Sequence, residues 1–308
     1  MAGVTGVVPP PPAQAVHRER RWAASVSPWL WAGPAIVIVA VLLVWPVIRT
    51  IWMSLLDDTS TQFVGLKNYI NIFTNRGVLE ILRNNLLWLV LGTAATVFLG
   101  LVIAVLADRA RFERVNKAAI FIPMAISMVG AGVIWKFVYE YRPAGQTQIG
   151  LLNAMLTRFG PQPIAWLIDS GVNNFGLIAV YVWMWTGFCM VILSAALKSV
   201  PDDVLEAARV DGANEVQIFF RVIVPLISPT IAVVTTTMII NILKIFDIVY
   251  VMTGGNFGTN VVALAFYQQF FNFGNFGLGS ALAVLLLIVI IPVMLVNIRR
   301  FRAQEAQR

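Results

Sequence analysis

The sequence predicts an all-α integral membrane protein with six transmembrane helices. Of its 308 residues, 59% are hydrophobic and only 12% are charged, and the mean hydropathy is +0.80. An average soluble domain has about a quarter of its residues charged. Six stretches of the chain are long and apolar enough to cross the roughly 30 Å hydrocarbon core of a bilayer. The composition and these stretches together assign the chain to the membrane.

The six predicted spans occupy most of the chain. They cover residues 30–52, 86–107, 118–139, 176–197, 222–246 and 278–297. The tail 1–29 carries four consecutive prolines, a composition typical of disordered, extended chain. The first span is too long for the core of a signal peptide, and no small-residue cleavage site follows it. We therefore expect it to remain in the mature protein.

The basic residues predict the orientation of the spans. Most of the 22 Lys and Arg residues lie in the N-terminal tail and in residues 108–117, 198–221 and 299–308. The alternate loops hold few, so the positive-inside rule places both termini in the cytoplasm. Lys136 and Lys244 fall near outer ends of spans, where long basic side chains reach the interface. The net charge of +7 therefore reflects membrane topology and indicates no nucleic-acid partner.

The sequence offers little for catalysis. Its one cysteine, Cys189, lies in an apolar stretch, and its one histidine, His17, lies in the N-terminal tail. The predicted spans therefore hold no histidine base, disulfide framework or metal cluster. No G-x-x-x-x-G-K-[ST] phosphate loop occurs, so any ATP chemistry must come from another polypeptide. We expect a non-catalytic chain without a cofactor of its own.

The predicted cytoplasmic loop 198–221 differs from its neighbours because its acidic residues outnumber its basic ones. Ser199 and Pro201 resemble a helix start, and an apolar stripe at helical spacing runs from Leu205 to Ile223. Gly212 interrupts this pattern, which predicts two short amphipathic helices with a bend between them. The loop would be a hairpin packed on its own domain, a helix lying on lipid, or a docking surface. Its acidity argues against anionic lipid.

The same loop carries a resemblance. Glu206-Ala207-Ala208 is followed by Gly212 and by Pro225 at the end of residues 222–225, at the spacing EAA, three residues, G, nine residues, I-x-L-P. This pattern resembles the EAA loop of ABC importer permeases, with Val at the Ile and Leu positions. A full pattern between two spans, on the side that the charges place in the cytoplasm, is specific.

Further segments are similar to the carbohydrate-uptake branch of these permeases, which includes the maltose and glycerol-3-phosphate permeases. They are Phe121-Ile122-Pro123 with Trp135-Lys136, residues 149–153, residues 183–188 and residues 246–255. One departure follows the last segment. Many sugar permeases continue there with Gly and Pro, whereas this chain has Asn256-Phe257-Gly258, so we expect a different turn.

The resemblance implies a type I importer fold and a coupling role for the EAA loop. Glu206 would meet a basic group of an ATPase subunit, and Ala207 and Ala208 would permit close packing. Gly212, next to Asp211, would supply the turn. Pro225 would begin or kink the next span. The implied partners are two ABC ATPase subunits that bind ATP and Mg²⁺, a second homologous permease, an extracytoplasmic solute-binding protein and the bilayer of a bacterial plasma membrane.

A sugar path needs aromatic faces and hydrogen-bonding groups. The candidates are Trp183, Trp185, Asn241, Lys244, Asp247 and Tyr250. The tryptophans would equally suit an interfacial or core aromatic cluster, and Lys244 and Asp247 would equally suit an ion pair with each other. The alternatives for the whole protein are an importer permease for a non-sugar solute such as glycerol-3-phosphate and a stand-alone secondary transporter. The spans show no interior carboxylate of the kind that binds coupling ions in secondary transporters.

Overall fold

The computed structural model describes residues 31–108 and 110–305, and the predicted disordered tail 1–29 lies outside them. Within the described residues the chain forms helices and turns, with one isolated antiparallel bridge between Leu56 and Phe63 and no longer strand. The all-α class predicted from the composition is confirmed. Among the described residues, those up to Arg49 form one compact unit and those from Thr50 onward form a second.

The helices are labelled α1 to α12 in chain order. They are α1 (Trp31–Met53), α2 (Lys67–Thr74), α3 (Arg76–Asp108), α4 (Glu113–Ala125), α5 (Met128–Val138), α6 (Leu151–Arg158), α7 (Asn173–Lys198), α8 (Asp202–Val210), α9 (Glu215–Leu243), α10 (Asp247–Met252), α11 (Val262–Tyr267) and α12 (Phe276–Glu305). In the described part of the chain α1, α3, α7, α9 and α12 are each long and apolar enough to cross a membrane. The bent pair α4 and α5 makes a sixth candidate span.

The pair α4 and α5 replaces the single helix predicted over residues 118–139. The two helices meet at an angle of 99°. Pro123 lies in a 3₁₀ turn, Ile122–Ala125, that ends α4, and the Ser127 side chain starts α5 by accepting a hydrogen bond of 3.0 Å from the Gly130 N–H. Proline cannot donate a backbone hydrogen bond, and serine caps helices well, so the two residues together break the span.

Helix α9 joins the acidic loop to the predicted span 222–246 and ends at Leu243. We expected two short helices in the loop, with a bend at Gly212, and a separate span that begins at residue 222. The helix instead continues through a π turn, Phe219–Ile223, in which the Val224 N–H bonds to the Phe219 carbonyl. The wider turn accommodates Pro225, which has no N–H and would otherwise crowd the carbonyl four residues earlier. The second half of the loop, from Glu215 onward, and the span are therefore one helix.

Helix α7 is the central packing element, because α3, α4 and α9 all contact it. Gly187 of α7 lies against the backbone of α4: a Cβ there would overlap the Ile120 carbonyl and come within 2.8 Å of Phe121 Cα. Phe121-Ile122-Pro123 and residues 183–188 were separate motifs in the sequence, and at Gly187 they are in contact. A glycine is required there for the close approach of the two backbones.

Candidate functional site

The EAA segment forms helix α8 and a tight turn after it. The Gly212 N–H bonds to the Arg209 carbonyl and the Ala213 N–H bonds to the Ala208 carbonyl, each at 3.0 Å. Gly212 has φ of +82°. These two bonds and the left-handed residue constitute a Schellman motif, in which glycine is favoured because it has no Cβ. The bend predicted at Gly212 is present and has a defined geometry.

The residues after the turn hold α8 against the start of α9. Asn214 accepts a hydrogen bond from the Gln217 N–H, and the Gln217 side chain accepts one from the Asn214 N–H, which is a capping box. Arg209 of α8 pairs with Glu215 of α9 at 3.0 Å across the turn. Two backbone bonds, a reciprocal cap and an ion pair thus fix the angle between α8 and α9.

Helix α8 has one half-buried face and one exposed face. Leu205 and Ala208 are half-buried, whereas Val204, Ala207 and Val210 are exposed, with Val210 87% exposed. Glu206 is also exposed and makes no ion pair with any described residue. The exposed face therefore offers a small apolar surface beside an unpaired carboxylate, which suits docking to a basic partner.

Two details of the predicted loop differ in the structure. Ser199 does not start α8: its hydroxyl donates to the Ala196 carbonyl at the end of α7, and α8 begins after Pro201 without a side-chain cap. The predicted apolar stripe is also interrupted: Val216 is 66% exposed and Ile218 is buried in its place, whereas Phe219 and Ile223 are half-buried as predicted. The stripe shifts because the turn at Gly212 breaks the continuous helical register on which it was based.

A cluster of charged residues, the Lys117 cluster, lies at the base of the loop. It consists of Asp108, Glu113, Lys117 and Lys198, together with the uncharged Ser194. The Lys117 ammonium bonds to Asp108, to Glu113 at 2.6 Å and to the Ser194 hydroxyl, and Lys198 bonds to Glu113. The cluster ties the ends of α3 and α7 to the start of α4, next to the segment that leads into α8.

The Lys117 cluster makes the stability of the fold depend on pH. Hydrogen bonds from Lys117 and then Lys198 lower the pKa of Glu113 from 4.5 to about 2. A carboxyl whose pKa is lower in the folded state stabilises the fold above its unfolded pKa and loses that effect as the pH falls through the folded value. Glu113→Gln should therefore lower the melting temperature near neutral pH, and the difference from wild type should shrink between about pH 4.5 and about pH 2.

The measurement is thermal unfolding of the detergent-solubilised protein across that pH range. Glu206→Gln is the matched control, because it also removes one carboxylate but breaks no ion pair among the described residues. A melting difference for Glu113→Gln that stays constant as the pH falls would count against the ion pairs as its cause.

The predicted path residues do not form one site in this chain. Trp183 and Trp185 are half-buried on α7 and contact other aromatic rings. The ring centroids of Trp183 and Trp135 are 5.5 Å apart, and those of Trp185 and Phe188 are 5.8 Å apart. The buried Trp185 indole N–H has no acceptor among the described residues. Asn241 is half-buried in the last turn of α9.

Lys244 and Asp247 follow α9. Lys244 is exposed just after the helix, and Asp247 is half-buried at the start of α10. The ion pairs found in the described part of the chain do not include this one. Their pairing was one of the two interpretations of the i, i+3 spacing, and the break after Leu243 removes the continuous helix on which it depended.

Tyr250 lines a cavity of about 430 Å³ that the other five path candidates do not reach. The cavity lies near the Asn173 end of α7, where the Tyr139 hydroxyl in its wall donates to the Gly176 carbonyl at 3.0 Å. Lys198 at the other end of α7 leads into α8. A helix of 26 residues is about 39 Å long, so the cavity and the loop are at opposite ends of it.

A buried asparagine explains the motif at residues 149–153. The Asn153 side chain donates to the carbonyls of Glu140 and Ile164 and accepts from the Ile164 N–H and the Trp166 indole N–H. It therefore holds together three segments of the connection between α5 and α7. The motif was identified from the sequence, but the packing role of Asn153 was not predicted.

The roles of four other buried asparagines, which form two adjacent pairs, were also not predicted from the sequence. Asn84 and Asn85 of α3 and Asn173 and Asn174 of α7 are buried and bond to the backbone between Phe257 and Val262. The signal available in the sequence was two Asn-Asn pairs next to apolar spans. Such polar residues are costly to bury unless they are bonded.

The chain matches a family model and is similar to permease proteins of two bacteria. The family model described as "Binding-protein-dependent transport system inner membrane component" matches residues 96–303. The osmoprotective compounds uptake permease protein GgtC of Synechocystis sp. is 57% identical over 91% of this chain and 100% of its own length. The alpha-glucoside transport system permease protein AglF of Rhizobium meliloti is 47% identical over 92% of this chain and 84% of its own length.

A solved structure has a similar fold. It is a chain of a bacterial ABC transporter involved in the import of the acidic polysaccharide alginate. The TM-score is 0.75 at 21% sequence identity, over 91% of this chain and 99% of that one. At this identity the likeness concerns the arrangement of the helices.

Proposed function

The chain belongs to the family of binding-protein-dependent transport system inner membrane components, and from that premise we propose that it is the permease subunit of an ATP-driven importer for a sugar or glycoside. The name of the second relative supports this substrate class, because it refers to alpha-glucosides. The observation that supports a coupling role is that α8 is held at a fixed angle to α9. We call this connection, formed by the Gly212 turn, the capping box and the Arg209–Glu215 ion pair, the joint.

In this proposal α8 docks on an ATPase subunit. Glu206 meets a basic group of that subunit, and the small side chains of Ala207 and Val210 lie against its surface. The exposed, unpaired carboxylate beside an apolar face supports this role. Asp211 and Gly212 end α8 in the Schellman turn, which keeps the docking surface in a fixed position relative to α9.

The joint would carry movement into the membrane. ATP and Mg²⁺ bind to the separate ATPase subunits, and closure of those subunits moves α8. Because the Gly212 turn and the capping box fix α8 to α9, and α9 runs without a break from Glu215 to Leu243, the span moves with it. The π turn before Pro225 gives that helix a wider turn near its base. The helices then alternate between inward-facing and outward-facing arrangements.

The sugar path would run along α7 and the end of α9. The buried indole N–H of Trp185 lacks an acceptor in the described chain, and a buried donor without a partner is costly. A sugar hydroxyl would supply that acceptor. Trp183, Asn241, Lys244 and Asp247 are further candidates along the way, and Tyr250 lies toward the far end of the path.

The complete importer would contain two ATPase subunits, a second homologous permease and an extracytoplasmic solute-binding protein. Both termini of this chain would be cytoplasmic in a bacterial plasma membrane. The Lys198 end of α7 would then face the cytoplasm, and the Asn173 end, with the cavity, would face outward.

Uptake by the reconstituted importer tests the proposal. Proteoliposomes that contain this permease, its partner permease and the ATPase would receive the solute-binding protein outside and ATP inside. Labelled alpha-glucosides such as trehalose and sucrose should accumulate in an ATP-dependent manner. Accumulation of amino acids or glycerol-3-phosphate with no sugar taken up would overturn the substrate class.

A further inference from the structure

The loop after α10 holds an aromatic residue in an unusual backbone conformation. Phe257 has φ of +59°, and within the described chain only Ser60 is another non-glycine residue with positive φ. This conformation is unfavourable for a bulky L-residue, and such outliers concentrate at functional sites. The Phe257 side chain is nevertheless 53% exposed. The strained backbone therefore presents a ring outward and does not place it in the core.

Buried asparagines maintain this conformation. Asn173 donates to the Phe257 carbonyl at 2.7 Å. Asn84 and Asn174 both donate to the Gly258 carbonyl, at 2.7 and 3.2 Å, and Asn84 also donates to the Asn260 carbonyl at 2.9 Å. Side chains from α3 and α7 thus hold the carbonyl of the strained residue and the backbone that follows it, which fixes the backbone position from which its ring projects.

The ring of Phe257 lines the cavity at the Asn173 end of α7 together with other aromatic residues. Tyr141 and Tyr250 also line it. Tyr250 is 47% exposed. Its ring stacks on that of Phe246, with 5.2 Å between the ring centroids, and its centroid lies 5.8 Å from that of Tyr267. These two contacts fix the orientation of the Tyr250 ring. Aromatic faces in fixed positions pack well against the C–H faces of sugar rings.

The same cavity has two charged groups of opposite sign, Lys136 and Glu140. Neither takes part in the ion pairs found within the described residues. Both therefore remain available to bond to hydroxyl groups of a ligand, and together they add no net charge that would select an anion or a cation. A volume of about 430 Å³ falls within the range of small-molecule sites.

We propose that this cavity is a second saccharide site, at the outer mouth of the permease, in which Phe257 is the platform for a neutral sugar ring and Lys136 and Glu140 bond its hydroxyls. This inference rests on the proposed function, because it assigns a site to the same class of solute. The sugar would occupy it before it reaches the path along α7, at the end of that helix opposite the coupling loop.

The test is Phe257→Gly in the assembled complex of both permeases and the ATPase. Glycine adopts φ of +59° without strain, so the variant removes the ring and leaves the loop and its asparagine bonds in place. Phe273→Gly is the matched control, because Phe273 is 69% exposed and does not line the cavity. Saturation-transfer NMR with trehalose and with sucrose, in the absence of binding protein, reports direct contact.

We expect a saturation-transfer signal for wild type and for Phe273→Gly, and a binding constant weaker by about tenfold or more for Phe257→Gly. Equal binding by wild type and Phe257→Gly would overturn the site. So would a wild-type complex that gives a signal with glycine betaine or an amino acid but none with either sugar. A third contrary result is a Phe257→Gly complex that loses affinity for the solute-binding protein while its sugar contact is unchanged.

Uptake by the same proteoliposomes separates the two proposals. If wild type accumulates sugars and Phe257→Gly has the same half-saturating concentration, the outer site fails while the proposed function stands. If wild type accumulates no sugar at all, the proposed function fails first.

Discussion

Replacing Glu206 by arginine should reduce ATP-driven uptake by at least about 100-fold, because reversing one member of a desolvated ion pair leaves two like charges at an interface. Glu206 is exposed on α8 and has no ion-pair partner among the residues that the structure describes. The change therefore removes no intramolecular contact of that kind. Folding should be unaffected, and the loss should appear as weaker association with the ATPase.

Co-purification of the ATPase and uptake into proteoliposomes measure this effect. Asp58→Arg is the matched control: Asp58 is also exposed and lies in the loop after α1, and among the described residues its side chain bonds only to Thr59. It should keep both association and uptake. A Glu206→Arg protein that binds the ATPase as well as wild type would refute the docking role of α8.

Replacing Gly187 by alanine should destabilise the fold by about 3 kcal/mol, at the upper end of the range for overpacking. The added methyl group would overlap the Ile120 carbonyl and come within 2.8 Å of Phe121 Cα, and both are backbone atoms that cannot rotate away. Helix α4 would have to separate from α7. We expect a lower melting temperature and poor recovery of the folded chain from membranes.

Gly176→Ala on the same helix is the control for this prediction. A Cβ at Gly176 would have its nearest neighbour, the Trp166 carbonyl, at 3.5 Å, which is ordinary contact. Since alanine favours helices over glycine, this variant should be neutral or more stable by up to about 1 kcal/mol. If the two variants melt at the same temperature, the close approach at Gly187 does not limit packing.

Composition and the EAA spacing were sufficient for the class and the family of the protein. The apolar stretches predicted an all-α membrane chain, and the spacing from Glu206 to Pro225 predicted the permease family; both are confirmed. These features are local in sequence. A span is a property of about 20 consecutive residues, and the motif lies within one short stretch from Glu206 to Pro225.

The features that sequence did not predict depend on contacts across the chain. Asn84 and Gly258 are 174 residues apart in sequence and adjacent in space, so no periodicity reveals that they are bonded. The sequence did not show that residues from Glu215 onward continue into the membrane span as one helix. Glu215 and Arg221 are charged and were assigned to the loop, whereas the backbone continues into the span through a π turn. The significance of Phe257 appears only in its dihedral angle.

The bend between α4 and α5 has a consequence for what surrounds the protein. At residues 126 and 127 the ladder of backbone hydrogen bonds stops and starts again, and Ser127 is exposed on the chain taken alone. Hydrocarbon offers no partner to backbone groups, so an interrupted helix is tolerated only against protein or water. The surface around Ser127 must therefore be sheltered from the lipid tails by protein or by water.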